Sequence, residues 1–214
     1  MSEVTGLLRE PWENFERQRG AGKFGIWVFL ASEMLFFGAL ILTYTVCRIE
    51  HMDAFAAAGR ETNIWYGTSN TAILLTSSLT MAVASQAASA GQHLRRLVVA
   101  CLTLTAALGL AFLVVKGFEY KEDLDKHLWP GAQFALHEPG AQLFYGLYWL
   151  VTGVHAIHLT IGIALVGRLA LLGHLKKLQL DENPEIEVTA LYWHLVDIIW
   201  IFLYPLIYLP GRVS

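Results

Sequence analysis

Five apolar stretches, Gly25–Val46, Gly67–Ala90, Leu97–Val115, Leu143–Val166 and Val188–Leu209, are separated by short polar segments. Each is close to the ~20 residues that carry a helix across about 30 Å of hydrocarbon at roughly 1.5 Å per residue. In lipid a backbone must satisfy its own hydrogen bonds, and an isolated stretch of this length does so only as a helix. The pattern therefore predicts an all-α, polytopic membrane bundle of five transmembrane helices, over about residues 24–48, 66–91, 96–122, 141–172 and 187–210. Composition agrees, with only 15% charged residues against about a quarter in soluble domains. Residues 23–214 read as one membrane domain, preceded by a polar lead-in over residues 1–22. That lead-in lacks an uninterrupted apolar run and a small-residue cleavage site, so it is expected to stay in the mature protein.

Several function classes drop out at this point. A net charge of -3 without a basic stripe gives no nucleic-acid footprint. Cys47 and Cys101 lie in or beside different apolar stretches, with no C-x-x-C spacing. They support neither a disulfide framework nor a zinc site.

Orientation follows from Lys and Arg near the helix ends. With the N-terminus in the cytoplasm, the inner segments hold Arg9, Arg17, Arg19, Lys23, Arg95, Arg96, Arg168, Lys176 and Lys177. The outer segments hold Arg48, Arg60, Lys116, Lys121, Lys126 and Arg212. The excess favours a cytoplasmic N-terminus and a periplasmic C-terminus. The second stretch is rich in Ala, Ser and Thr, which lets helix backbones approach closely and points it toward protein. The third is expected to continue past Lys116 until Trp129–Pro130–Gly131 ends it. Gly146 and Gly153 share a face of the fourth and suggest close packing there. Pro205 predicts a kink in the fifth.

Ionisable groups inside these stretches are the sharpest chemical signal. A carboxylate near the bilayer centre costs about 3 kcal/mol on insertion scales, so such residues are functional suspects. Taking stretch midpoints as the centre, Glu33 lies about 4 Å and Asp197 about 1–2 Å to the cytoplasmic side. His155 and His158 straddle the centre, and His194 lies about 6–7 Å inward. Ser77, Ser78, Thr103 and Thr105 fall in the same layer. His155 and His158 share a helix face, as do His194 and Asp197. A buried network giving each group a partner is the economical expectation. Proton handling, lipid binding, or ligation of a metal or haem by the histidines are the alternatives.

The fifth stretch carries a family pattern. Glu187 is followed by Tyr192-Trp193-His194-Leu195-Val196-Asp197 and then Trp200. This resembles the last helix of subunit III of the haem-copper respiratory oxidases. Thr152-Gly153-Val154-His155-Ala156-Ile157-His158 is similar to that family's Thr-Gly-x-His-Gly-x-His, departing at Ala156, where many members have Gly. Glu33, within Gly25-Ile-Trp-Val-Phe-Leu-Ala-Ser-Glu33, matches the family's membrane-buried, carbodiimide-reactive carboxyl. Lys116-Gly-Phe-Glu-Tyr120 resembles a further segment. The longer members have seven helices; this chain is similar to the five-helix bacterial forms. The V-shaped, lipid-filled cleft of the longer members is therefore complete only if another subunit supplies its missing wall.

The resemblance implies a non-catalytic accessory subunit of a proton-pumping terminal oxidase in the bacterial cytoplasmic membrane. It implies no catalytic residue and no metal or cofactor on this chain, with haem and copper in partner subunits. The implied partners are the haem-copper catalytic subunit I, the rest of the complex, and structural phospholipid. Glu33, His155, His158, Glu187, His194 and Asp197 become buried structural or proton-handling positions. Arg95, Arg96 and Trp193 become candidates for lipid contact. A related accessory protein of bacterial nitric oxide reductase is the alternative, and an autonomous membrane enzyme or haem protein using the mid-membrane polar layer is a third reading.

Overall fold

The computed structural model describes residues 15–132, 134–136, 138, 140–178 and 184–212, with side chains from residue 24 onward. The helices are α1 (Phe15–Glu50), α2 (Met52–Glu61), α3 (Ile64–Ser89), α4 (Arg95–Asp125), α5 (Ala141–His174) and α6 (Pro184–Tyr208), with one 3-10 turn at Gln92–Leu94 before α4. Five of them are long and apolar enough to cross a membrane: α1 from Phe24, α3, α4 with its preceding turn, α5 and α6. The helix of the first stretch starts earlier than expected, at Phe15, inside the segment read as a polar lead-in; residues 1–14 lie outside the described ones. α2 was not anticipated. It has ten residues, far short of a span, and buries Ala54, Phe55, Ala58 and Gly59 on one side.

The chain divides within α1, after Phe36, into two compact units. In the first, Leu30 is buried and Glu33 half-buried, while Phe24, Trp27, Met34 and Leu35 are exposed. The second unit holds everything from Phe37. There α3 packs on α4, α4 on α5, α5 on α6 and α6 back on α3, a closed ring of four helices. α2 covers part of α5. The C-terminal half of α1 is joined to the ring by Tyr44, whose hydroxyl donates to the Leu206 carbonyl at 2.5 Å.

The ring follows from the spacing of its buried residues. On α4 these are Val98, Leu102, Thr105, Gly109, Phe112, Lys116, Glu119 and Asp123, alternating four and three residues apart along eight positions. α3 does the same with Gly67, Asn70, Leu74, Ser77, Met81, Ala84 and Ala88. A repeat averaging 3.5 keeps one stripe facing the neighbours along the whole helix, as in coiled-coil packing.

Close approach is set by glycines other than those expected. A Cβ on Gly109 would lie 2.8 Å from both Ile163 and Trp193, and one on Gly173 2.6 Å from Val99. Gly153 has nothing within 4 Å, and Gly146 meets only Pro130 at 4.0 Å. The expectation of packing at Gly146 and Gly153 is thus corrected: their common face looks away from the ring. Pro205 sits within α6, which continues to Tyr208.

Two helix ends share one device. After α4, Leu128 N–H donates to Asp123 O and His127 N–H to Leu124 O; after α5, Lys177 N–H donates to Leu172 O and Lys176 N–H to Gly173 O. Both are Schellman motifs, which place a residue in the left-handed region, usually Gly. Here His127 (φ 55) and Lys176 (φ 57) occupy it. A left-handed conformation costs a residue with a Cβ about 1–2 kcal/mol. His127→Gly and Lys176→Gly are each expected to raise the thermal unfolding midpoint of the purified chain. Unchanged or lowered midpoints for both would contradict this.

The chain returns on itself at the end of α6. Gly211 (φ 73) turns it, and Arg212 Nη2 lies against the carbonyl oxygens of Gly59, Arg60 and Thr62. In return Arg60 Nε donates to Gly211 O at 3.0 Å.

Candidate functional site

The middle of the ring is organised around two tryptophans of α6. Trp193 is fully buried, and its indole fills the space left by Gly109 on α4 and Gly162 on α5. Its Nε1 donates to Ser77 Oγ on α3 at 3.2 Å. One side chain therefore touches all three other ring helices. Two turns further on, Trp200 Nε1 donates to Thr71 Oγ1 at 3.0 Å. The Trp200 ring packs against Phe112 and His155, with centroids 4.8 and 5.1 Å away.

The polar layer expected from depth is present, but only part of it is bonded. Ser78 Oγ lies 2.9 Å from His194 Nδ1, and Thr80 Oγ1 lies 2.7 Å from Thr105 Oγ1. His158 Nδ1 faces the Val154 carbonyl of its own helix at 2.8 Å. Its ring meets Phe37 edge-on. Thr103 bonds Val99 O at 2.8 Å and points toward His174 rather than into this layer. His155 and Asp197 depart from the expectation. Both are buried, at 0% and 2% exposure, and neither forms a hydrogen bond with any described group. Asp197 lies beside Ser78, whose hydroxyl is engaged by His194. The His155 imidazole is enclosed by Trp200 and Phe112. Asn70 of α3, which the sequence did not single out, is in the same position: fully buried, with both amide atoms unbonded. Leaving a buried polar group unpaired costs roughly 1–3 kcal/mol, and the hydrogen bonds of this layer among the described residues do not extend to these three.

The remaining candidates separate. Glu187 is exposed in the first turn of α6. Arg95 is engaged by protein, with Nε 3.4 Å from Gly173 O, Nη1 3.2 Å from Gln92 Oε1 and Nη2 2.9 Å from Leu178 O. It ties the start of α4 to the end of α5. Arg96 is exposed beside it. Trp193 is enclosed by the chain itself.

The most strongly ionic site was not foreseen. Lys116, counted above among the outer flanking cations, is only 2% exposed. Its Nζ lies 3.0 Å from Glu119 Oε2, 3.0 Å from Tyr148 Oη and 2.8 Å from Tyr208 Oη. It also sits over the Tyr148 and Tyr120 rings, at 4.6 and 4.9 Å from their centroids. Tyr208 Oη is 2.6 Å from Glu119 Oε1. Tyr148 Oη is 3.1 Å from Glu119 Oε1 and 2.7 Å from Asp123 Oδ2. Tyr120 Oη bonds Thr152 Oγ1 at 2.7 Å next to them. The residue pattern carried the signal. The four-three stripe that begins at Val98 runs on through Lys116, Glu119 and Asp123, placing all three on the inward face of α4. Just beyond the span, Lys126 bonds Glu122 at 2.8 Å, and this bond raises the Lys126 pKa above the usual lysine value.

Chemically the ring offers carboxyls, hydroxyls and imidazoles held away from solvent, suited to holding or passing protons. Among the described residues, no group of three or more His, Cys, Asp and Glu side chains is arranged to hold a metal ion.

Comparison with known proteins places this architecture. The family model for cytochrome c oxidase subunit III matches residues 13–212. A probable quinol oxidase subunit 3 from Staphylococcus saprophyticus is 30% identical, over 89% of this chain and 90% of its own length. Cytochrome c oxidase subunit 3 of Bacillus subtilis is 29% identical, over 91% and 89%. Cytochrome bo(3) ubiquinol oxidase subunit 3 of Pseudomonas aeruginosa is 29% identical, over 89% and 85%. With the match running from before the first span to the turn after the last, the chain belongs to the cytochrome c oxidase subunit III family.

Proposed function

We propose that this chain is the non-catalytic accessory subunit of a bacterial terminal respiratory oxidase, packed against the haem-copper catalytic subunit. It sits in the cytoplasmic membrane with its N-terminus inside and its C-terminus outside. The redox centres are in the partner subunits, and this chain stabilises the catalytic subunit and supports proton uptake. The family match over residues 13–212 carries the reading. Two features of the chain support it. Phe24, Trp27, Leu35, Leu42 and Ile49 leave α1 with a broad apolar exterior for lipid or a neighbouring subunit. Five of the chain's helices are also long and apolar enough to cross a membrane, as a multi-pass subunit requires. Structural phospholipid is expected at the basic end of the bundle, where Arg96 is exposed. The relatives found are oxidase subunits, and no observation favours the nitric oxide reductase alternative.

Affinity purification of the native complex from mild detergent tests this reading. The chain is expected to bring down a haem-copper catalytic subunit, with haem absorbance in the complex and none in the isolated chain. Complex lacking the chain is expected to lose oxygen-reducing activity progressively during turnover. A Soret band stoichiometric with the isolated chain, and abolished by His194→Ala, would overturn the assignment.

A further inference from the structure

We propose that Asp123, Tyr148 and Glu119 form a proton-binding site that holds one exchangeable proton inside the bundle. Hydrogens and contacts do not match without it. Lys116, Glu119, Asp123, Tyr148 and Tyr208 make six polar contacts of 3.1 Å or less. Lys116 supplies three hydrogens and each tyrosine hydroxyl one. The three of Lys116 go to Glu119 Oε2, Tyr148 Oη and Tyr208 Oη, and that of Tyr208 goes to Glu119 Oε1. Tyr148 is left with one hydrogen and two carboxyl oxygens, at 3.1 and 2.7 Å.

A proton on Asp123 Oδ2 closes the set. Asp123 donates to Tyr148 Oη at the shorter contact, and Tyr148 donates onward to Glu119 Oε1. Every contact then contains one hydrogen. The added proton also balances charge. Lys116 neutralises one carboxylate, and the second would otherwise stand as an uncompensated buried charge, which costs several kcal/mol.

Among the described residues no other cation bonds Asp123 or Glu119, and the Lys126 charge reaches Asp123 only from a distance. Lys126, at the end of α4, is bonded to Glu122. The other described groups around the cluster are Tyr120 of α4, Tyr145 and His155 of α5, Tyr66 of α3 and Glu61 of α2, none of them a lysine or arginine. Release is balanced as well. The Asp123 O–H bond breaks, the proton passes to water at the α4 terminus, and the Tyr148 hydroxyl turns from Glu119 to Asp123. Nothing else changes partner. The site is therefore a reversible proton store at the end of the bundle where α4 ends and α5 begins.

Infrared spectroscopy of the purified full chain, with aspartate carboxyls labelled with carbon-13, tests this directly. The Asp197→Asn protein is expected to retain one labelled, protonated-carboxyl band at neutral pH, sensitive to deuterium exchange. Asp123→Asn should abolish that band, and Tyr148→Phe should shift it by removing the acceptor. Asp123→Asn should also fold to wild-type yield, because the amide N–H donates to Tyr148 as the neutral acid does. Absence of the band in the Asp197→Asn protein overturns the proposal. So does a failure of Asp123→Asn to fold, since a neutral acid would then be the wrong description of the native group. Should Asp197→Asn itself be unstable, the same band is sought in wild-type protein by its response to Tyr148→Phe, and no response overturns the proposal.

Discussion

Lys116→Met is expected to abolish most of the folded, monodisperse chain. The substitution preserves length and apolar bulk, so what it removes is the charge and three hydrogen bonds at the centre of the α4–α5–α6 contact. Removing one partner of a buried ion pair is destabilising by about 3–5 kcal/mol, because the other charge stays behind uncompensated. That is a large share of the stability of any domain. Replacing both partners with neutral groups of similar shape is far milder. The double variant Lys116→Met/Glu119→Gln is therefore expected to recover at least half of the loss. Unfolding midpoints in a denaturing-detergent titration check both. A wild-type midpoint for the single variant would show that the ammonium is not the keystone of this cluster.

The second large effect is expected at Trp193. Its indole fills the space above Gly109 and Gly162 and donates to Ser77, so Trp193→Ala opens a cavity lined by three helices. Phe or Trp to Ala changes in packed cores cost about 3–5 kcal/mol. Gly109→Ala should destabilise by the opposite route, since its Cβ would meet Trp193 and Ile163 at 2.8 Å; overpacking of this kind costs about 1–3 kcal/mol. Because the indole makes one of the two 2.8 Å contacts, the double variant should lose less than the sum of the single ones. Strict additivity in the same titration would mean that the glycine and the indole do not share the space.

The spans were legible because length and hydropathy are properties of the chain alone. So was the level at which polar groups meet: counting residues from stretch midpoints put Ser78 and His194 in one layer, and they lie 2.9 Å apart. Azimuth was not legible to the same degree. Depth arithmetic says that His155 and Asp197 are at similar heights, but which way each points depends on how the helices are rotated against their neighbours. His155 turns toward two aromatic rings, and Asp197 toward a serine already engaged by His194. Lys116 was misread for a related reason. A cation directly after an apolar run is ordinarily a helix-end anchor at the membrane surface, and only the four-three stripe says otherwise. α2 escaped because the search was for long apolar runs, whereas MDAFAAAGRE is short, with a small-residue face.

The hook formed by Gly211 and Arg212 has a consequence for biogenesis. A ribosome makes these residues after all five spans have been synthesised, yet they latch onto the carbonyls of residues 59, 60 and 62, made more than a hundred residues earlier. The corner between α2 and α3 must wait, unfastened, while the later spans enter the bilayer. That fastening therefore forms only once α6 has been made, and it ties the corner before the second span to the turn after the last.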